Sequence, residues 1–379
     1  MSARRVPVTV LTGFLGSGKT TLLRRLLERD ELGDTAILIN ELGAVAIDHA
    51  LVRHVEENIA VLASGCLCCT VRDDLGKALR DLLARRGRGE LSFRRVMIET
   101  TGLADPVPIL HTLMTDPVLD TAVRIASVAT TVDAISGGLH LDRQAEAIRQ
   151  VAVADILVLT KTDMAAAGDP APLADRLRRI NPLATILTAG DPGFEPIALL
   201  ADGAWDAARL ASDAVRWLHH LPAGGATHDE AIAASSFVVE QPLDWTGFGV
   251  WLTMLLHRHG ADILRVKALL NVADEPGPVA VHGVQHVIHP PVHLATWPDD
   301  DRRSRLVFIT RGISGEALAA SLTVFSRAAA AARGVASDPV MLIPVNGTEI
   351  GGRPIRRAAG LACMKLPMLA GRPMRGSGG

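Results

Sequence analysis

Along the first two hundred residues, short solid apolar runs alternate with stretches of helical spacing. Residues 6–11 form a β-branched run ending in a Gly-rich turn, and a helix is expected over about residues 20–29. Residues 36–40 and 59–62 are further short apolar runs. Leu75, Ala78, Leu79, Leu82 and Leu83 recur at helical spacing and predict a helix over 75–85, entered near Arg72. Residues 96–98, 125–132 and 156–160 read as buried strands, with a helix between the last two. This alternation predicts an α/β domain whose mostly parallel sheet is flanked by helices on both faces.

The pattern then loosens. Gly, Pro and Asp punctuate residues 189–233, and 201–233 are taken as a linker between a first domain (1–200) and a second (234–335). In the second domain 237–239, 264–270, 279–282 and 306–309 read as strands, 248–257 as a helix and 317–333 as an Ala-rich helix. Residues 336–379, with Gly351-Gly352 and a Gly-rich end, are expected to be a loosely ordered tail. Within it, Cys363 and the basic residues Arg353, Arg356, Arg357, Arg372 and Arg375 suggest no site.

Composition narrows the partners. Aromatic residues are 3% of the chain and Tyr is absent, so stacking platforms for single-stranded nucleic acid are not expected. A net charge of −2 with interspersed signs argues against nucleic acid altogether. No apolar run approaches the roughly 18 residues of a membrane helix. Arg4-Arg5 precede an apolar stretch as in an export signal, but cleavage after it would destroy the glycine-rich segment that follows, so a cytoplasmic location is expected.

That segment is Gly13-Phe14-Leu15-Gly16-Ser17-Gly18-Lys19-Thr20, a match to G-x-x-x-x-G-K-[ST] between a predicted strand and a predicted helix. Glycines let the backbone curl so that successive N–H groups face phosphates, and the helix amino terminus adds positive potential. Gly13, Gly16, Ser17, Gly18, Lys19, Thr20 and Thr21 are the expected phosphate-binding set, with Lys19 neutralising the β- and γ-phosphates and Thr20 ligating Mg²⁺.

Thr160-Lys161-Thr162-Asp163 follows a predicted strand. There the Asp163 carboxylate can accept from guanine N1–H and the 2-amino group, which adenine does not offer, and the Lys161 stem can lie across the base. GTPases usually carry Asn at the first of these positions, and this chain carries Thr160. Glu99-Thr100-Thr101-Gly102 ends another strand, placing Glu99 to support Mg²⁺ and the Gly102 N–H to approach the γ-phosphate. Lys19, Thr20 and Glu99 are therefore the expected catalytic groups. No Gln or Arg announces itself, so slow hydrolysis accelerated by a partner is expected. Asn40-Glu41-Leu42-Gly43 lies where a first switch would be.

Three of the four cysteines fall in Gly65-Cys66-Leu67-Cys68-Cys69. Disulfide frameworks spread their cysteines, whereas this cluster reads as a thiolate site for a soft or borderline ion, Zn²⁺, Cu⁺ or Co²⁺. Glu41 or a water is a candidate fourth ligand. A redox dithiol and plain core packing are the competing readings. His282, His286, His289 and His293 are read as ordinary sheet or loop residues in preference to a second metal site, although His282 and His286 would share a face in a strand.

Together these segments resemble the CobW-type P-loop GTPases, a family of cobalamin-synthesis accessory proteins, nitrile hydratase activators and zinc-transferring metallochaperones. The resemblance extends to Ala104-Asp105-Pro106, Arg265-Val266-Lys267, Trp297-Pro298 and residues 305–309. It implies a GTPase domain joined to a smaller α+β domain, a transition metal (zinc first, cobalt second) at the C-x-C-C site, and delivery to a client metalloenzyme. A nucleotide-dependent oligomer is compatible with it. The His-rich stretch of some zinc-handling members is missing here. Two rivals stand beside this reading: a metal-sensing GTPase that transfers no ion, and a small-molecule kinase.

Overall fold

The computed structural model of the chain describes residues 5–28, 34–39, 59–61, 70–164, 171–200, 232–332 and 342–344. In chain order the first part comprises β1 (Val6–Gly13), α1 (Lys19–Leu27), β2 (Thr35–Ile39), β3 (Ile59–Val61), α2 (Thr70–Gly87), β4 (Arg95–Glu99), α3 (Val107–Thr115) and α4 (Pro117–Ala122). It continues through β5 (Val123–Asp133), α5 (Gly137–Arg143), α6 (Ala145–Val153), β6 (Ile156–Thr160), α7 (Ala171–Ile180) and β7 (Thr185–Thr188). The seven strands pair in the order β3-β2-β4-β1-β5-β6-β7, all parallel. β1 is central because its run is apolar on both sides. Val6, Val8 and Val10 pack with α2, α3 and α4, while Leu11 packs with Leu22, Leu23 and Leu26 of α1 on the other face.

Burial continues past the last strand. A short 3₁₀ turn, Pro196–Leu200, places Leu199 and Leu200 in the core on the α1 side, and the Leu199 carbonyl accepts from Ser127. α4 starts where Asp116 caps the amides of Val118 and Leu119 and Pro117 takes the first helical position.

The second part comprises β8 (Ile232–Val239), α8 (Trp245–His259), β9 (Ile263–Leu270), β10 (Val279–Val284), β11 (Val287–Ile288), β12 (Val292–His293), β13 (Ser304–Arg311), α9 (Gly315–Ala332) and β14 (Leu342–Pro344). Its antiparallel sheet runs β11-β10-β9-β13-β8-β14, with β12 also on β10. β14 pairs with β8, so the segment expected to be a loose tail contributes at least one strand; the rest of that tail lies outside the described residues.

Both faces of this sheet are covered. Val266, Ala268 and Leu270 of β9, with Leu306 and Phe308 of β13, pack under α8 and α9. Leu269, Ala280, Val307 and Ile309 share a cluster with Ala147, Val151 and Ala152 of α6 and Leu177 and Ile180 of α7. Strand alternation therefore turns Arg265, Lys267 and, opposite Lys267, His282 toward the first sheet's helices, and all three are buried. There the Asp155 carboxylate, between α6 and β6, receives Arg265 and Lys267, the latter at 3.1 Å. Among the described residues no helix is long and apolar enough to cross a membrane.

Candidate functional site

Parallel α/β sheets offer ligands the crevice at the carboxyl ends of their strands, and the sequence-predicted nucleotide residues within the described residues fall at or just after the carboxyl ends of β1, β4 and β6. The loop between β1 and α1 turns through Gly16 (φ 71°) and Gly18 (φ 89°), which caps α1 in the left-handed region. Gly13 sits at φ 143°, where an added Cβ would come within 2.5 Å of the Thr131 carbonyl. Only glycine allows β1 to leave the sheet this close to β5.

The loop is braced from below by hydroxyls. Ser17 Oγ lies 2.6 Å from Thr131 Oγ1, and Thr160 Oγ1 donates to the Ser17 carbonyl at 2.7 Å. Thr160 thus ties the loop after β6 to the loop after β1. Lys19 Nζ donates to the carbonyls of Gly13 (2.8 Å) and Phe14 (3.2 Å), holding its charge over the cradle.

An open cleft of about 280 Å³ lies above this loop, bounded by Lys19, Thr20, Glu99, Gly102 and Lys161 among others. Thr20 Oγ1 donates to Glu99 Oε1 at 3.2 Å, and Glu99 is buried. This hydroxyl–carboxylate pair is the hard oxygen set that Mg²⁺ takes. Thr21, one residue on, is exposed on α1. Gly102 packs directly against the P-loop: an added Cβ would lie 2.7 Å from Leu15 Cα and N. The Thr100 hydroxyl donates to Thr12 at 2.8 Å, pinning the start of that loop to the end of β1.

In the loop after β6, Lys161 adopts φ 57° and its Nζ donates to Asp133 at 2.6 Å. Burial disfavours charge on Asp133, but the Lys161 bond and the amides of Ile135 and Ser136 outweigh it and hold the carboxyl below its ordinary value. Lys161 is thereby oriented by an ionised partner, leaving its stem along the cleft. Asp163 is exposed and is not among the residues that bound the cleft. Asp133 and Thr131 escaped sequence reasoning, although a carboxylate closing the long apolar run of β5 was a signal. So did Gln150, whose amide holds the Gly102 loop.

Glu41, Cys66, Cys68 and Cys69 lie outside the described residues, as do Asn40, Leu42 and Gly43. The segment with the cysteines leaves β3 after Val61 and enters α2 at Thr70. β3 is parallel to β2, which is parallel to β4, so its carboxyl end and that of Glu99's strand are on one edge of the sheet. Among the described residues no group of three or more His, Cys, Asp and Glu could hold a metal. Of the histidines of the second part, His282 is buried on β10 and its carbonyl accepts from the His289 N–H at 2.9 Å, His286 lies in the turn after β10 with Nδ1 3.0 Å from the Leu256 carbonyl, and His293 meets Glu275 at 3.2 Å.

The nucleotide-binding-domain model of CobW, HypB and UreG proteins matches residues 7–188, and that of the cobalamin synthesis protein CobW carboxyl-terminal domain matches residues 232–325. The zinc chaperone YjiA of Escherichia coli is 34% identical over 308 residues, covering 80% of this chain and 93% of that protein. The zinc chaperone CobW of Pseudomonas aeruginosa is 30% identical over 349 residues, covering 84% and 91%. The crystal structure of Zn(II)-bound YjiA GTPase from E. coli superposes with a TM-score of 0.66 at 27% identity, over 85% of this chain and 99% of that one. With its phosphate cradle, its Thr20–Glu99 pair and both matched regions, the chain belongs to the CobW/HypB family of P-loop GTPases.

Proposed function

We propose that this GTPase is a metallochaperone that binds Zn²⁺, with Co²⁺ as the alternative ion, through Cys66, Cys68 and Cys69 and delivers it to a client metalloenzyme. Glu41 is the candidate fourth ligand. The observation that carries the reading is topological. The cysteine segment follows β3 at the end of the sheet that also carries Glu99 and the P-loop. The zinc chaperones among its relatives support the choice of ion.

In this reading the backbone N–H groups from Gly13 to Thr20 hold the phosphates and Lys19 leaves the P-loop carbonyls to neutralise them. Thr20 and Glu99 would hold Mg²⁺, which would supply positive charge against that of the phosphates. Gly102 senses the γ-phosphate, and Asp163 and Lys161 select guanine. Hydrolysis releases the loops, and the thiolates loosen their ion at the client. The Cys66→Ser, Cys68→Ser, Cys69→Ser protein tests this: high-affinity Zn²⁺ binding should vanish while GTP affinity stays within about threefold. Unchanged Zn²⁺ affinity in that protein rejects the site.

A further inference from the structure

The helix α6 touches the Gly102 loop at one point and the second sheet at another. Its Gln150 is 1% exposed, and Nε2 donates to the carbonyls of Gly102 (3.2 Å) and Ala104 (2.9 Å). Two acceptors on one side fix the amide orientation, because the opposite rotamer would set an oxygen against two carbonyls. Arg149, the preceding residue, lies 3.5 Å from Asp105, whose other oxygen caps the Val107 amide at 3.0 Å. The loop from Gly102 to Asp105 is therefore gripped by α6 on one side and blocked by Leu15 on the other.

The carboxyl end of the same helix is held as firmly. Asn181 Nδ2 donates to the carbonyls of Val151, Ala152 and Ala154, at 2.7, 3.2 and 2.9 Å. The Val153 carbonyl accepts from Arg265 of β9, which also pairs with Asp155. The negative pole of α6 and the Asp155 carboxylate thus face the two buried cations of the second sheet. Gln150 and Val153 lie within a single turn at the end of this helix, so the two grips act on adjoining residues.

We infer that Gln150 is a positioning residue for the γ-phosphate-sensing loop and that α6, clamped to β9 through Val153 and Asp155, ties the state of that loop to the second sheet. This rests on the reading of Gly102 as the sensor. A shift of Gly102 toward a bound γ-phosphate must carry Gln150 with it or break its two hydrogen bonds. Either way α6 feels the difference between GTP and GDP.

The test uses the full chain and a fluorescent GDP and non-hydrolysable GTP analogue. Gln150→Met keeps the volume and removes both donors; Gln150→Glu replaces them with acceptors. Each should lower the ratio of GTP-analogue to GDP affinity, Met by roughly tenfold and Glu by more. A purely structural role would weaken both nucleotides alike. Gly102→Ala serves as the discriminating control. If it leaves the ratio unchanged, the sensor reading fails and the inference with it. If it lowers the ratio while both Gln150 variants do not, the inference alone fails.

Hydrogen exchange of the unaltered chain covers the case in which neither Gln150 variant folds. On replacing GDP by the GTP analogue, altered protection should reach from residues 101–106 through α6 to Arg265 and Lys267. Protection changes confined to the loop overturn the strut.

Discussion

Replacing Asp155 by Asn should destabilise the chain by about 3–5 kcal/mol, the cost of breaking a buried ion pair from one side. The structure allows little relief. Asp155 is 5% exposed and Arg265 and Lys267 are 1% each, so water cannot easily enter to solvate the cations. At 3.1 Å and an effective dielectric near 20, the Lys267 pair alone contributes about 5 kcal/mol of gross attraction, most of it offset by desolvation. The amide oxygen of Asn can still accept from the Val128 N–H, which Asp155 Oδ2 holds at 3.0 Å, but its NH2 then stands where Oδ1 receives Arg265 and Lys267, so the measured loss combines the charge with the lost acceptor. Asp155→Ala removes the acceptor for Val128 too and should cost about 1–3 kcal/mol more. Against a typical total of about 5–15 kcal/mol, either loss is large. Urea unfolding followed by the fluorescence of the buried Trp251 is the assay, with Lys267→Met and the double variant closing a cycle. The reasoning is refuted if Asp155→Asn unfolds within about 0.5 kcal/mol of the natural chain, or if the cycle shows no coupling between Asp155 and Lys267.

Further outcomes follow from single sites. Gly13→Ala should abolish measurable GTP binding, because its Cβ meets the Thr131 carbonyl at 2.5 Å and φ 143° is hostile to side chains; isothermal titration checks this. Asp163→Ala should weaken GTP by at least about tenfold and leave ATP unchanged, since only guanine offers the two donors; competition against labelled GTP reads it. Burial, reinforced by the positive charges of Lys267 and Arg265, holds the His282 pKa well below its ordinary 6.5. Below about pH 6.5 the unfolded chain therefore binds a proton that the folded chain refuses. Stability should be full above that pH and fall on acidification, by at most about 1.4 kcal/mol per pH unit from this group. Denaturant midpoints at pH 7.5 and 5.5 test it, and His282→Leu should flatten the slope.

How much of this could be read from residue order depends on the range of the forces involved. β1, the P-loop and α1 were legible because each carries a local signal: a β-branched run, glycines that need φ > 0, and apolar residues at helical spacing. No helix is read at α7 from the sequence, although Leu173, Ala174, Leu177 and Ile180 carry its period, and no strand at the four-residue β7. Gly, Pro and Asp loosen the pattern from residue 189 onward, yet Leu199 and Leu200 belong to the first core. Arg265 and Lys267 show what local pattern misses. Alternating with Val266 and Ala268 they imitate a solvent-facing strand, and partners distant in sequence, among them Asp155, 110 positions from Arg265, make their burial tolerable. Gln150 was similarly detectable as a polar residue on the apolar face with Ala147 and Val151, but its two carbonyl partners lie on a loop nearly fifty positions upstream. Glu41 and the three cysteines, outside the described residues, rest on residue chemistry and connectivity alone.

The central claim is that ion and nucleotide share one moving part, and a zinc titration of the full chain in two nucleotide states addresses it directly. Zn²⁺ affinity should differ by about tenfold or more between the GTP-analogue and GDP complexes, and zinc should shift the GTP-analogue affinity, relative to GDP, by the same factor. Identical zinc affinities in the two complexes would contradict the account.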